Sequence, residues 1–220
     1  MDPIKTTPEP LLGTFAVLPA LTGFLPVPLL DGIISRQIAR RMVTTVAGTH
    51  YLTLPEEEVK LLASEPDESF LDFLKGAAKG LLLFPIRLLF RAVFLILDAK
   101  EVTDLVGRAY ARSVLLDIGF GEGWYMRHGA VKLGQAVEQV LTTVDTRPTQ
   151  HAASASWKML KKKGPDFFSK ILSAFKERKD DAAASEATPL GEAFAQAIAQ
   201  GAPALRASLR ATLARALGEP

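Results

Sequence analysis

The longest apolar run in the chain extends from Phe70 to Leu97, FLDFLKGAAKGLLLFPIRLLFRAVFLIL, with basic residues at Lys75, Lys79, Arg87 and Arg91 and no acid after Asp72. Its apolar surface must be hidden by a protein core, a lipid surface or a partner. Between Gly80 and Leu97 stand thirteen strongly apolar residues and two central arginines. The apolar residues contribute about −4 to −8 kcal/mol of insertion free energy and the arginines cost about +5 to +7 kcal/mol, so a lone membrane span is not favoured. Pro85 moves Phe84 away from helical geometry, and the pattern predicts two helices meeting there, Asp67 to Leu83 and Pro85 onward. The GxxxG at Gly76 and Gly80 brackets Lys79 and reads as close helix packing.

Arg87, Arg91 and Asp98 fall on one stripe of a continuous helix. Asp104, Arg108 and Arg112 form a second charged line at four-residue spacing, with Asp104 ahead of Arg108 in the favourable orientation for an ion pair. These six residues make a candidate central charged stripe, in which mutual charge pairing, joined by the acids Asp117 and Glu122, is expected rather than catalysis. A helix running unbroken from Pro85 to Ile118 would be unusually long, so a bend is expected near Asp98.

The remaining periodicities are also helical. Ile34, Ile38, Met42 and Val46 recur every four residues between Leu29 and Val46, with Arg36, Arg40 and Arg41 beside them and Gly48 as the expected stop. Thr53 and Glu56 fit a capping box, and Glu56, Glu57 and Glu58 then occupy a first turn favoured by the helix dipole. Leu133, Val137, Val140, Leu141 and Val144 give an apolar face to a helix from Trp124 to Asp145. Leu205, Leu209, Leu213 and Leu217 form a narrow seam after Pro203, suited to folding back on the core or binding a partner helix. Three segments break the pattern. Leu11 to Leu30 carries no charge but holds Pro19, Pro26 and Pro28, which predicts an extended apolar arm laid over the core rather than a signal peptide. Thr149 to Ser156 and Asp180 to Glu186 are small and polar and read as linkers, with Thr188 and Pro189 starting the following helix.

Charge sharpens one region. The chain has a formal net charge of +2 over 220 residues, so it is not a polycation built for nucleic acid. Residues 151–182, however, hold eight basic and four acidic side chains. Here Trp157, Phe167, Phe168 and Phe175 stand among Lys158, Lys161, Lys162, Lys163, Lys170, Lys176 and Lys179. Lysines with bulky aromatics on a helix are the pattern of a membrane-surface anchor.

Little else carries chemistry. The chain has no cysteine and three histidines, His50, His128 and His151, which stand too far apart in sequence for a zinc-ligand motif. Gly119, Gly121 and Gly123 alternate at a spacing of two with no strand before them and no Lys-Ser or Lys-Thr after, so a tight turn is expected there rather than a phosphate loop. No nucleophile elbow or dinucleotide fingerprint is present. The reading is an all-α protein with an apolar proline-broken arm (1–28), a bundle-like helical core (29–147), a linker with a basic amphipathic helix (148–187) and a tethered C-terminal helical pair (188–220). The function expected is non-enzymatic and needs no cofactor or metal. It is peripheral association with an anionic membrane from the cytoplasmic side, with a protein partner or second copy bound through the terminal segments and no nucleic acid. The rival readings are a soluble helical scaffold or homo-oligomer subunit, and a helical carrier of a lipid or other apolar ligand.

Overall fold

As far as Thr22, the uncharged N-terminal segment is a helix packed at the centre of the described residues. The structure, a computed structural model, describes residues 6–22, 31–63, 100–145, 147–177 and 180–219, and within it helix α1 spans Glu9–Thr22. Every residue from Leu12 to Leu18 is buried, as are Ala20, Leu21 and Thr22. Over Glu9–Thr22 this corrects the extended arm that the prolines predict, while Pro26 and Pro28 lie outside the described residues. Pro10 lies in the first turn, where its missing N–H has no intrahelical acceptor to lose. The Pro8 carbonyl instead receives the N–H groups of Leu11 and Leu12. Pro19 falls in the last turn, and the Thr22 hydroxyl bonds back to its carbonyl at 2.8 Å. A helix apolar on all sides belongs in a core.

Helix α2 (Asp31–Thr49) buries Ile34, Ile38, Met42 and Val46, as their period requires. It ends past Gly48, in a turn where Leu52 N–H reaches the Ala47 carbonyl and Tyr51 N–H the Gly48 carbonyl. Tyr51 takes the left-handed conformation at φ 60° that glycine usually supplies at this point. Helix α3 (Glu56–Ala63) carries the three glutamates in its first turn but starts later than a Thr53 cap would place it. The Pro55 carbonyl receives its first bonds, from Glu58 and Val59.

Helix α4 (Lys100–Gly121) absorbs Gly119 and Gly121, leaving Gly123, at φ 70°, as the left-handed residue of the turn. Helix α5 (Trp124–Leu141) is kinked at Gly129 (φ 75°, ψ 168°). Helix α6 (Arg147–Lys163) takes in the expected linker, with Thr149, Ala152, Ala153 and Ser156 buried. Helix α7 (Pro165–Lys176) follows, then α8 (Asp180–Ile198), with Pro189 inside it, and α9 (Ala202–Leu217). The second expected linker and the Thr188–Pro189 helix start are therefore both interior to α8. Alanine is the best helix former, and a small side chain lets helices approach closely, so an Ala-rich stretch without an apolar stripe still forms a packed helix. Pro189 withholds a bond from the Ser185 carbonyl, and Ser185 is exposed, where water can take the place of that donor.

Among the described residues every element is a helix and all packing is helix on helix. Helix α1 packs most extensively on α8 and then on α4. Around this pair lie two groups. Helices α6, α7 and α8 pack on one another, and α2, α3, α5 and α9 are joined through α4 and α5. The Phe70–Leu97 run, its Pro85 junction, and Arg87, Arg91 and Asp98 lie outside the described residues. No described helix is long and apolar enough to cross a membrane.

Candidate functional site

Asp117 on α4 is only 1% exposed, so its charge has to be answered by partners. Its Oδ1 accepts from the Thr7 N–H at 2.9 Å, the Thr7 hydroxyl at 2.5 Å and His50 Nε2 at 2.8 Å. Its Oδ2 accepts from Arg206 Nη1 at 2.6 Å. The same guanidinium reaches Glu9 Oε1 through Nη2 at 3.5 Å, and the Tyr110 hydroxyl donates to Glu9 Oε2 at 2.7 Å. Burial pushes the Asp117 carboxyl upward; His50, Thr7 and Arg206 more than offset it and hold it below its ordinary value. Burial, followed by the charge of Glu9, drives the Tyr110 hydroxyl up.

The local fold explains how these groups meet. The left-handed Tyr51 turns the chain at the end of α2 so that His50 faces α4. Thr7 and Glu9 flank the start of α1, and Arg206 lies on the first turns of α9. The cluster is thus a clasp across four distant parts of the chain. Asp117 accepts three donors at Oδ1 and one at Oδ2, so its charge is answered within the protein, and no described group of three or more acids and histidines could hold a metal ion. A second set of contacts runs alongside. Arg210 pairs with Glu122 at 2.7 Å and lies over the Trp124 ring. Gly218, left-handed at φ 75°, ends α9 and delivers Glu219 to Arg127 and His128 at 3.0 and 2.7 Å. The Tyr125 hydroxyl bonds Glu58 and is pushed up to about 12, by burial first and by that glutamate second.

Of the expected charged stripe, Asp104 and Arg112 are half-buried and Arg108 is exposed. Arg112 pairs across to Glu138 on α5 at 2.6 Å. Asp117 on α4 and Glu122 in the turn after it find their arginines on α9 instead of on α4. Sequence reasoning named both acids but missed His50, Thr7, Glu9, Tyr110 and Arg206 as their setting. No periodic signal joins Asp117 to partners 67, 89 and 110 positions away.

The expected lipid-facing residues separate into two kinds. Trp157 is 2% exposed and Phe168 fully buried, so these two aromatics belong to the core. Phe167 is half-buried, with Lys163 Nζ lying 5.8 Å from its ring centroid. Lys158, Lys161, Lys162 and Lys163 at the end of α6, and Lys170 on α7, are exposed and make a basic corner. Phe175 and Lys176 fall in the last turn of α7, and Lys179 lies outside the described residues. Comparison with known protein families, with curated proteins and with solved structures yields no match to this chain.

Proposed function

We propose that this is a non-enzymatic helical protein that associates peripherally with an anionic membrane, at its inner, cytoplasmic face, through the α6–α7 corner. The observation that supports this reading is that five lysines on two consecutive helices, Lys158, Lys161, Lys162 and Lys163 in the last turns of α6 and Lys170 midway along α7, are all exposed. Lysine near an anionic lipid surface contributes about 1 kcal/mol, so five acting together suffice for reversible adsorption. Trp157 and Phe168 face inward, which makes the attraction electrostatic rather than an aromatic insertion. A partner helix on the Leu205–Leu217 seam would have to displace the helices already there, since Leu209, Leu213 and Leu217 are buried and α9 packs on α4 and α5.

Sedimentation with vesicles tests the proposal. The full chain should pellet with vesicles containing phosphatidylglycerol and stay in solution with phosphatidylcholine alone. Raising salt from 0.05 to about 0.5 M should release it, because screening shortens the reach of exposed charges. Equal retention on both vesicle types, or on neither, would overturn the proposal.

A further inference from the structure

The basic corner borders a groove that gives two of its lysines a different setting from the rest. Between α6 and α8 lies an open depression of about 360 Å³ lined by Ala155, Lys158, Met159, Lys162, Ala193, Gln196 and Ala197. Ala155, Lys158, Met159 and Lys162 follow steps of three and four and so form one stripe of α6, and Ala193, Gln196 and Ala197 do the same on α8. The volume falls within the roughly 300–1,000 Å³ typical of small-molecule sites. The floor is mainly three alanines and a methionine, whose pliable thioether adapts to irregular apolar shapes. Both lysines are exposed, and no described carboxylate pairs with either. At a separation of four residues on one helix face, two ammonium groups can converge on a single anion.

We infer that this groove holds one molecule of an anionic phospholipid, its phosphate between Lys158 and Lys162 and an acyl chain along Ala155, Met159, Ala193 and Ala197. The chemistry of the lining selects this occupant. A peptide would bring an anion to the lysines only through an acidic side chain, and the lining offers it just one amide, Gln196, for its backbone. A free phosphate would use the lysines and leave the apolar floor uncovered. A lipid uses both, and its headgroup side opens onto the lysines that the proposed membrane association employs. The inference rests on that association and divides its five lysines into two that clasp a headgroup and three that act by charge alone.

Two variants of equal charge separate the ideas. On phosphatidylglycerol vesicles, removing any two lysines of the corner should weaken binding about thirtyfold by charge alone. Lys158→Gln with Lys162→Gln should exceed this by a further tenfold, and Lys161→Gln with Lys163→Gln should not. A short-chain phosphatidylglycerol kept below its micelle concentration should bind the full chain in calorimetry, and inorganic phosphate should not. Ala193→Phe, which fills the groove and keeps every lysine, should abolish that short-chain binding and leave salt-sensitive vesicle adsorption in place. Ala197→Leu is the milder second variant should the first fail to fold. Equal losses from the two lysine pairs, short-chain binding unaffected by the groove variants, or phosphate binding as well as the lipid would each overturn the groove. If the parent protein ignores anionic vesicles but binds the short-chain lipid, the peripheral reading falls and the groove survives as a lipid-carrying site.

Discussion

At the scale of single residues, the strongest local commitment is Asp117, which binds four donors from three separate segments. Replacing it with asparagine leaves Arg206, itself 24% exposed, without its main counter-charge. Breaking a buried pair from one side costs about 3–5 kcal/mol, and Asp117→Asn should lower the unfolding free energy by that order. The pH dependence follows from the direction of the shift. Asp117 is held below its ordinary value in the folded protein, so its contribution is complete above the unfolded value of about 3.9 and is lost as pH falls through the lower folded value. Urea titrations between pH 6 and 3 should show the parent losing stability below about pH 4, with a shallower loss in the variant. Parallel curves would mean that the clasp is not the titrating element. The sequence makes Asp117 visible as an acid beside arginines of its own helix, and the structure gives it Arg206. Helical periodicity reports neighbours up to a few turns away and is silent about a partner 89 residues on.

At the scale of elements, legibility follows amphipathicity. The stripe of Ile34, Ile38, Met42 and Val46 and the seam ending at Leu217 were readable because each helix has one buried and one wet face. Helix α1 has no wet face, and over the stretches that read as linkers α6 buries Thr149, Ala152, Ala153 and Ser156 and α8 buries Ala183, small side chains that imitate a linker rather than an apolar stripe. What holds α1 against α8 is the absence of side chains. A Cβ added at Gly191 would lie 2.0 Å from Thr14 Oγ1 and 2.2 Å from the Pro10 carbonyl oxygen. A backbone oxygen cannot rotate aside, so Gly191→Ala must push the two helices apart. Overpacking commonly costs about 1–3 kcal/mol, and the upper end is expected here. Gly48, by contrast, is exposed near the end of α2 with nothing within 4 Å of its added Cβ, so Gly48→Ala should be neutral or stabilising by up to about 1 kcal/mol. Thermal melts of the two single variants decide the point. A Gly191→Ala protein as stable as Gly48→Ala would show that α1 and α8 do not approach as described.

At the scale of the molecule, the first and the last described helix, α1 and α9, are both structural. Arg206 and Glu219 from α9 and its cap tie the C-terminal helix to Asp117, Arg127 and His128. Thr7 and α1 tie the N-terminal part to the same cluster. The tethered C-terminal pair expected from composition is therefore packed on α1, α4, α5 and α6 through α8 and α9, an arrangement that local patterning does not encode because it depends on which faces meet. The consequence is a test on the intact fold. Deleting residues 1–22 removes the buried Leu12, Phe15, Val17, Leu18 and Leu21 along with Thr7 and Glu9. Burying a large apolar side chain contributes about 1.5–3 kcal/mol, so these five account for about 8–15 kcal/mol, as much as the whole net stability of an ordinary domain, about 5–15 kcal/mol. The shortened chain should retain part of its helical circular dichroism, lose its cooperative thermal transition and elute as aggregate, because the surfaces of α4 and α8 that α1 covers become exposed. A truncated protein that melts cooperatively near the parent temperature and elutes at the volume expected for its mass would show that α1 is an accessory arm after all, and that α4 and α8 close the core without it.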